Sequence, residues 1–130
     1  MPIDVRTVFC DDIRREDNGK AILIGVYTGD LIPAVLPSKF PLSLWIDVRG
    51  LSKGQHKLKI DVSLPGGKNI GVEGQLAVDE PGQAVPMMLS GLPADITEPG
   101  IIEVVLEVDG AKVPGGQLIV RPAPSTPPQV

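Results

Sequence analysis

Two adjacent carboxylates, Asp11 and Asp12, are the residues here most able to do chemistry. Paired acids can hold a hard cation or share the acid and base roles of a hydrolysis. Either use needs further oxygens converging from elsewhere, and Asp30, Asp47 and Asp79 are the candidates. Nothing in the spacing shows that convergence. A calcium-binding or hydrolytic site around Asp11, Asp12 and Asp30 is therefore the second reading. The first is a structural polar network in which Arg14, Arg15 and backbone amides hold the two acids. One of the two carboxylates is then expected to be substantially buried.

The other reactive side chains stand singly. His56, in Lys53-Gly54-Gln55-His56-Lys57, is the lone histidine and cannot furnish a multi-histidine zinc site. No Gly-x-Ser-x-Gly elbow accompanies it, so it reads as a solvated strand-end residue. Cys10 is the only cysteine, which excludes an intrachain disulfide and suits a reducing compartment. Within a strand it reads as a small buried hydrophobe. Leu64-Pro65-Gly66-Gly67-Lys68-Asn69 and Pro114-Gly115-Gly116 lack the spacing of a phosphate loop and read as turns. No catalytic residue, metal ligand or cofactor is assigned, and the chain is expected not to be an enzyme.

The element that positions Asp11 and Asp12 is a β-hairpin. Asn18-Gly19 is a strong signal for a two-residue type I′ turn, since both positions then need φ > 0. Such a turn places Ile13 opposite Ile24 and Asp12 opposite Gly25. Asp11 then shares the core face with Ile13, Ile22, Ile24 and Val26. Either a bulge near Asp11-Asp12 shifts that register, or Asp11 is a hydrogen-bonded buried acid.

The rest of the chain also reads as strands, with glycines and prolines at intervals of about ten residues. Leu58, Ile60, Val62 and Leu64 alternate with Lys57, Lys59, Asp61 and Ser63, one face to a core and one to water. Leu42, Leu44, Ile46 and Val48 form another inward set, as do Ile70, Val72, Leu76 and Val78. Ile102, Val104, Leu106 and Val108 precede a turn at Asp109-Gly110, and the chain returns through Gln117–Val120. Pro86 demotes the strand of Val85, Met87 and Leu89 to an edge. Leu31–Pro41, with three prolines, reads as an extended crossover between sheets. The expected fold is a single antiparallel two-sheet β-sandwich of immunoglobulin-like type over residues 1–121, with about eight strands. A jelly roll or small barrel is the alternative. Residues 122–130 read as a proline-rich tail expected to lie against another copy or a partner.

Composition excludes several function classes. Apolar residues make up 42% and charged residues 22%, ordinary for a globular domain, but aromatics only 3%, so Val, Ile and Leu must build the core. A net charge of −4 without a basic run argues against nucleic-acid binding. No segment has the apolar length of a membrane helix, about 20 residues, and the start lacks a signal peptide's apolar core. A cytoplasmic location is expected, or the virion for a phage-encoded protein.

Three residues suggest contact rather than catalysis. Trp45 is in phase with Ser43, Asp47 and Arg49, opposite the apolar set of its strand, and Leu23 and Tyr27 occupy the second face of theirs. Apolar residues on both faces of a strand lie under a loop or under a partner. The run Cys10-Asp11-Asp12-Ile13-Arg14-Arg15-Glu16, with Asn18-Gly19-Lys20 and Leu23-Ile24-Gly25-Val26-Tyr27, resembles the opening of a family of small uncharacterised bacterial and phage proteins. The resemblance covers the first third of the chain closely and the remainder loosely. That family carries no assigned activity, so it implies no catalytic residues, and its phage members point to an assembly role. The function expected is a non-catalytic structural or interaction module that binds a protein partner or itself.

Overall fold

The structure, a computed structural model, describes residues 3–33 and 35–122 of the 130. Its strands are β1 (Asp4–Arg15), β2 (Ala21–Val26), β3 (Ser38–Arg49), β4 (Gly54–Ser63), β5 (Asn69–Val78), β6 (Val85–Ile96), β7 (Gly100–Val108) and β8 (Ala111–Val120). They form two four-stranded sheets, ordered β2-β1-β3-β6 and β5-β4-β7-β8. Every strand pairing is antiparallel. No helix occurs among the described residues. The fold is the expected all-β sandwich.

Alternation builds the core. Leu42, Leu44, Ile46 and Val48 point inward from β3 with no exposure. They meet Leu58, Ile60 and Val62 of β4 and Ile102, Val104 and Leu106 of β7 in one buried cluster. Each such side chain contributes about 1.5–3 kcal/mol by leaving water, so these central strands hold the sandwich together. Two extra residues bend the ladders. One lies in β6 between Leu89 and Leu92, the other in β8 at Gly115. Gly115 must be glycine, because a Cβ there would come within 2.9 Å of both Leu106 Cδ1 and Val104 Cγ1.

Two turns with similar sequences behave differently. Asp109 and Gly110 both take positive φ, 50° and 88°, the type I′ geometry their sequence implies. Asn18-Gly19 does not. Only Gly19 has positive φ, and the bonds from Glu16 N–H to Lys20 O and from Gly19 N–H to Glu16 O close a three-residue loop. The register is therefore one residue away from the two-residue pairing: Ile13 faces Leu23 and Asp12 faces Ile24. A one-residue slip turns a whole strand over. Ile22, Ile24 and Val26, expected in the core, lie on the outer face, while Leu23 turns inward and is half-buried.

The proline-rich connection is also corrected. It links β2 to β3, both in the first sheet, rather than crossing between sheets, and Ser38–Pro41 already belong to β3. On the way, Leu31 forms a parallel bridge with Val120 of the second sheet. Leu31 N–H donates to Ile119 O and Arg121 N–H to Leu31 O. Of the tail expected at 122–130, residues 123–130 lie outside the described residues.

Candidate interaction face

The outer face of the first sheet follows from the registers. One row across the sheet is Val8, Trp45 and Met88; another is Val26, Cys10 and Ser43; Ile24 stands beside Asp12 and Ile22 beside Arg14. Ile22 and Ile24 are each 44% exposed and Val26 42%. Val8, Trp45 and Met88 are half-buried. This apolar stripe has no third layer over it among the described residues. Trp45 thus sits where its phase implied, while Leu23 faces the other way and Tyr27 packs against the core.

Beneath the stripe the face is closed and hydrogen-bonded. Cys10 and Ser43 have no exposure. Ser43 Oγ donates to Asp11 O at 3.2 Å and accepts the Gly91 N–H at 3.1 Å, so one hydroxyl of β3 ties β1 to β6. Cys10 Sγ lies 3.6 Å from Ser43 O. Burial pushes the Cys10 thiol up, and the Asp11 and Asp12 charges push it further. A thiol so held carries little thiolate and is a poor nucleophile.

Charges on this face come in neutral pairs. Asp4 with Arg6 (3.5 Å), Asp12 with Arg14 (2.7 Å) and Asp47 with Arg49 (2.9 Å) each join residues two apart on one strand. Asp47 is the buried member, with a side chain 5% exposed. Its Oδ1 has no hydrogen-bond partner among the described residues. The outer face of the second sheet is different in kind. There Lys59 stands between Glu73 and Glu107, flanked by Lys57, Asp61 and Gln75, a ladder suited to water.

The structure separates the carboxylates that could have formed a site. Asp11 and Asp12 are neighbours in an extended strand and point to opposite faces. Asp11 is exposed and accepts a 2.7 Å hydrogen bond from the Tyr27 hydroxyl. Asp12 accepts from Ile13 N–H (2.9 Å) and Arg14 Nε (2.7 Å), which hold its carboxyl below the usual range, the Arg14 bond most. Its side chain is 42% exposed, so neither acid is substantially buried. Asp12 projects from the outer face, which is open to solvent, and Asp11, in phase with Phe9 and Ile13 on the other face, lies beside Gly25, which has no side chain to cover it. Arg15 lies exposed at the strand end. Asp30 pairs with Arg121, Asp79 is exposed, and Asp47 lies beneath Arg49. Among the described residues no three His, Cys, Asp or Glu side chains are grouped as metal ligands.

His56 corrects another expectation. It is 8% exposed, with Nδ1 2.6 Å from Asp109 Oδ2 and Nε2 2.7 Å from Ser52 O. Both partners accept, so the two hydrogen bonds are made together only when both ring nitrogens are protonated. The Ser52 carbonyl, and after it the Asp109 carboxylate, raise the pKa of His56. Both nitrogens are occupied by these contacts, which leaves neither facing a metal or a substrate. Only the β4–β7 pairing, invisible locally, brings Asp109 to this ring. A groove of about 590 Å³ beside Phe40, Pro41 and Ile70 contains Lys68 and Asp95, but these two satisfy each other.

A model of a family of unknown function, DUF6941, matches residues 6–121, all eight strands but for the first two residues of β1. No curated protein and no solved structure matches the chain.

Proposed function

We propose that this chain, which belongs to the DUF6941 family of unknown function, is a non-catalytic interaction module that binds a protein through the outer face of its first sheet. The observation that carries this reading is the line of Ile22, Ile24 and Val26, each more than 40% exposed, on a sheet face with no third layer. Contiguous exposed apolar surface is costly in water and marks interaction sites. Trp45 and Met88 extend the same surface, and tryptophan is a frequent anchor of interfaces. The assembly role suggested by the resemblance to phage proteins would use this face.

Strand order supports an immunoglobulin-type scaffold for the module. β3 lies between β1 and β6 while β4 lies between β5 and β7, as strands B and C do in that fold. The β2 hairpin arm is an addition at the edge. The test is a photo-reactive amino acid placed at Trp45 and, separately, at Lys59 on the charged sheet. Position 45 is expected to crosslink a polypeptide in the cells that make the protein, and position 59 not. No crosslink from position 45, or equal yields from both, overturns the reading.

A further inference from the structure

A sheet ends in edges, and an edge strand offers unpaired N–H and C=O groups unless something blocks them. The two sheets have four edges, β2, β6, β5 and β8. β6 is interrupted by Pro86, Pro93 and its extra residue. β8 carries Pro114 and the extra Gly115, and Leu31 bridges its Val120. β5 places the charge of Glu73 between Gly71 and Gly74. β2 reads Ala21-Ile22-Leu23-Ile24-Gly25-Val26, without a proline or a charge.

The orientation of the β2 backbone follows from the turn. Glu16 N–H bonds to Lys20 O, so in an antiparallel ladder the next bonded pairs are Arg14–Ile22 and Asp12–Ile24. The N–H and C=O of Leu23 then point away from the sheet.

We infer that a second copy of this chain occupies that edge, its β2 antiparallel to the first about a two-fold axis at Leu23, making one continuous sheet. The inference rests on the interaction reading above, because it uses the exposed Ile22 and Ile24 of that face. It adds a second contact along the β2 edge, with a copy of this chain, beside the surface around Trp45. In this register Leu23 bonds reciprocally with its copy, and Ile22 lies opposite Ile24 of the copy on the exposed face. Apolar cross-strand pairs of this kind stabilise a sheet. Charge also favours a like partner. The outer face balances Asp4, Asp12 and Asp47 against Arg6, Arg14 and Arg49, although the chain as a whole carries −4. Beside the β2 edge the charges are the paired Asp12 and Arg14, so two copies meet at that edge without the repulsion their net charge would otherwise impose. The six residues of β2 fall short of the roughly 20–30 a side of a standard interface, so the dimer is expected to dissociate on dilution.

Sedimentation velocity over a range of concentrations tests this on the full chain and two variants. Leu23→Pro removes an outward N–H that the fold does not use, which an edge strand tolerates. Ile24→Lys places a charge at a position already 44% exposed. The wild type is expected to form a concentration-dependent dimer, and both variants to stay monomeric with unchanged β-sheet circular dichroism. Should Leu23→Pro fail to fold, Ile24→Lys decides. A wild type that is monomeric throughout, or a folded Ile24→Lys variant that dimerises like the wild type, overturns the inference. A monomer whose position 45 still crosslinks another polypeptide removes only the second copy as partner. A monomer without that crosslink removes both readings.

Discussion

Asp109 and His56, 53 positions apart, meet at 2.6 Å where β4 begins and β7 ends. The second Asp109 oxygen accepts the Lys57 N–H at 2.9 Å, so one carboxylate clasps two consecutive residues of the neighbouring strand. It does so from a turn with φ 50°, a conformation asparagine also tolerates.

Stability should therefore depend on pH through this pair. His56 has a raised pKa in the fold, so its contribution is complete below the unfolded value of about 6.5 and is lost as pH rises through the folded one. Asp109 is depressed, by the His56 bond most, so its contribution is present above about 3.9 and lost as pH falls through its folded value. Denaturation midpoints measured at a series of pH values should peak between those limits. Asp109→Asn keeps the turn and should flatten the alkaline fall. An unaltered slope in that variant would show that the pair does not set the profile.

Gly25 is required for two reasons that a double-mutant cycle separates. Its φ is 69°, and a Cβ there would overlap the Asp11 carboxylate. Gly25→Ala should cost about 1–3 kcal/mol from backbone strain, plus the clash. Adding Asp11→Ala relieves the clash alone, so the pair should be less destabilised than the sum of the singles. Strict additivity in urea unfolding would show that the Asp11 side chain moves aside freely.

Tyr27 is the only tyrosine, so phenolate absorbance reports it without interference. Burial first, then the hydrogen bond to Asp11, push its pKa up to about 12. The phenol contributes fully below about pH 10, its value in the unfolded chain, and that contribution is lost as pH rises through about 12. Asp11→Asn should lower the midpoint while leaving the part due to burial. A midpoint near 10 in the folded wild type would show the phenol to be solvated.

Cys10 gives a measure of opening. With no exposure and a raised pKa, its thiol should react with an aromatic disulfide reagent only when the first sheet opens. The rate in native buffer is expected to be orders of magnitude below that in denaturant. Equal rates would mean that β1 and β3 separate readily at this point.

Where a strand lies at the centre of a sheet, its sequence pattern was sufficient. The inward sets of β3, β4 and β7 stand where alternation puts them, because packing on one face admits a single phase. The β2 edge was misread for a physical reason. Asn18-Gly19 fits either a two-residue loop or a three-residue loop with Gly19 alone at positive φ, and the choice inverts Ile22, Ile24 and Val26. The outer apolar face was thus legible at Trp45 and hidden at β2. The His56–Asp109 contact was hidden too, since it depends on a pairing between distant strands that no local window contains.

The nesting of the strands also governs how the protein is born. β3 is completed by β6, yet β4 and β5 lie between them in the chain. At roughly 5–20 residues per second, a ribosome takes a few seconds to pass from one to the other. During that interval β3 has β1 beside it and then the β4–β5 hairpin across from it, but neither its neighbour β6 nor the facing β7. The core side chains Leu42, Leu44 and Ile46 are therefore only partly covered in the nascent chain until β6 and β7 have followed.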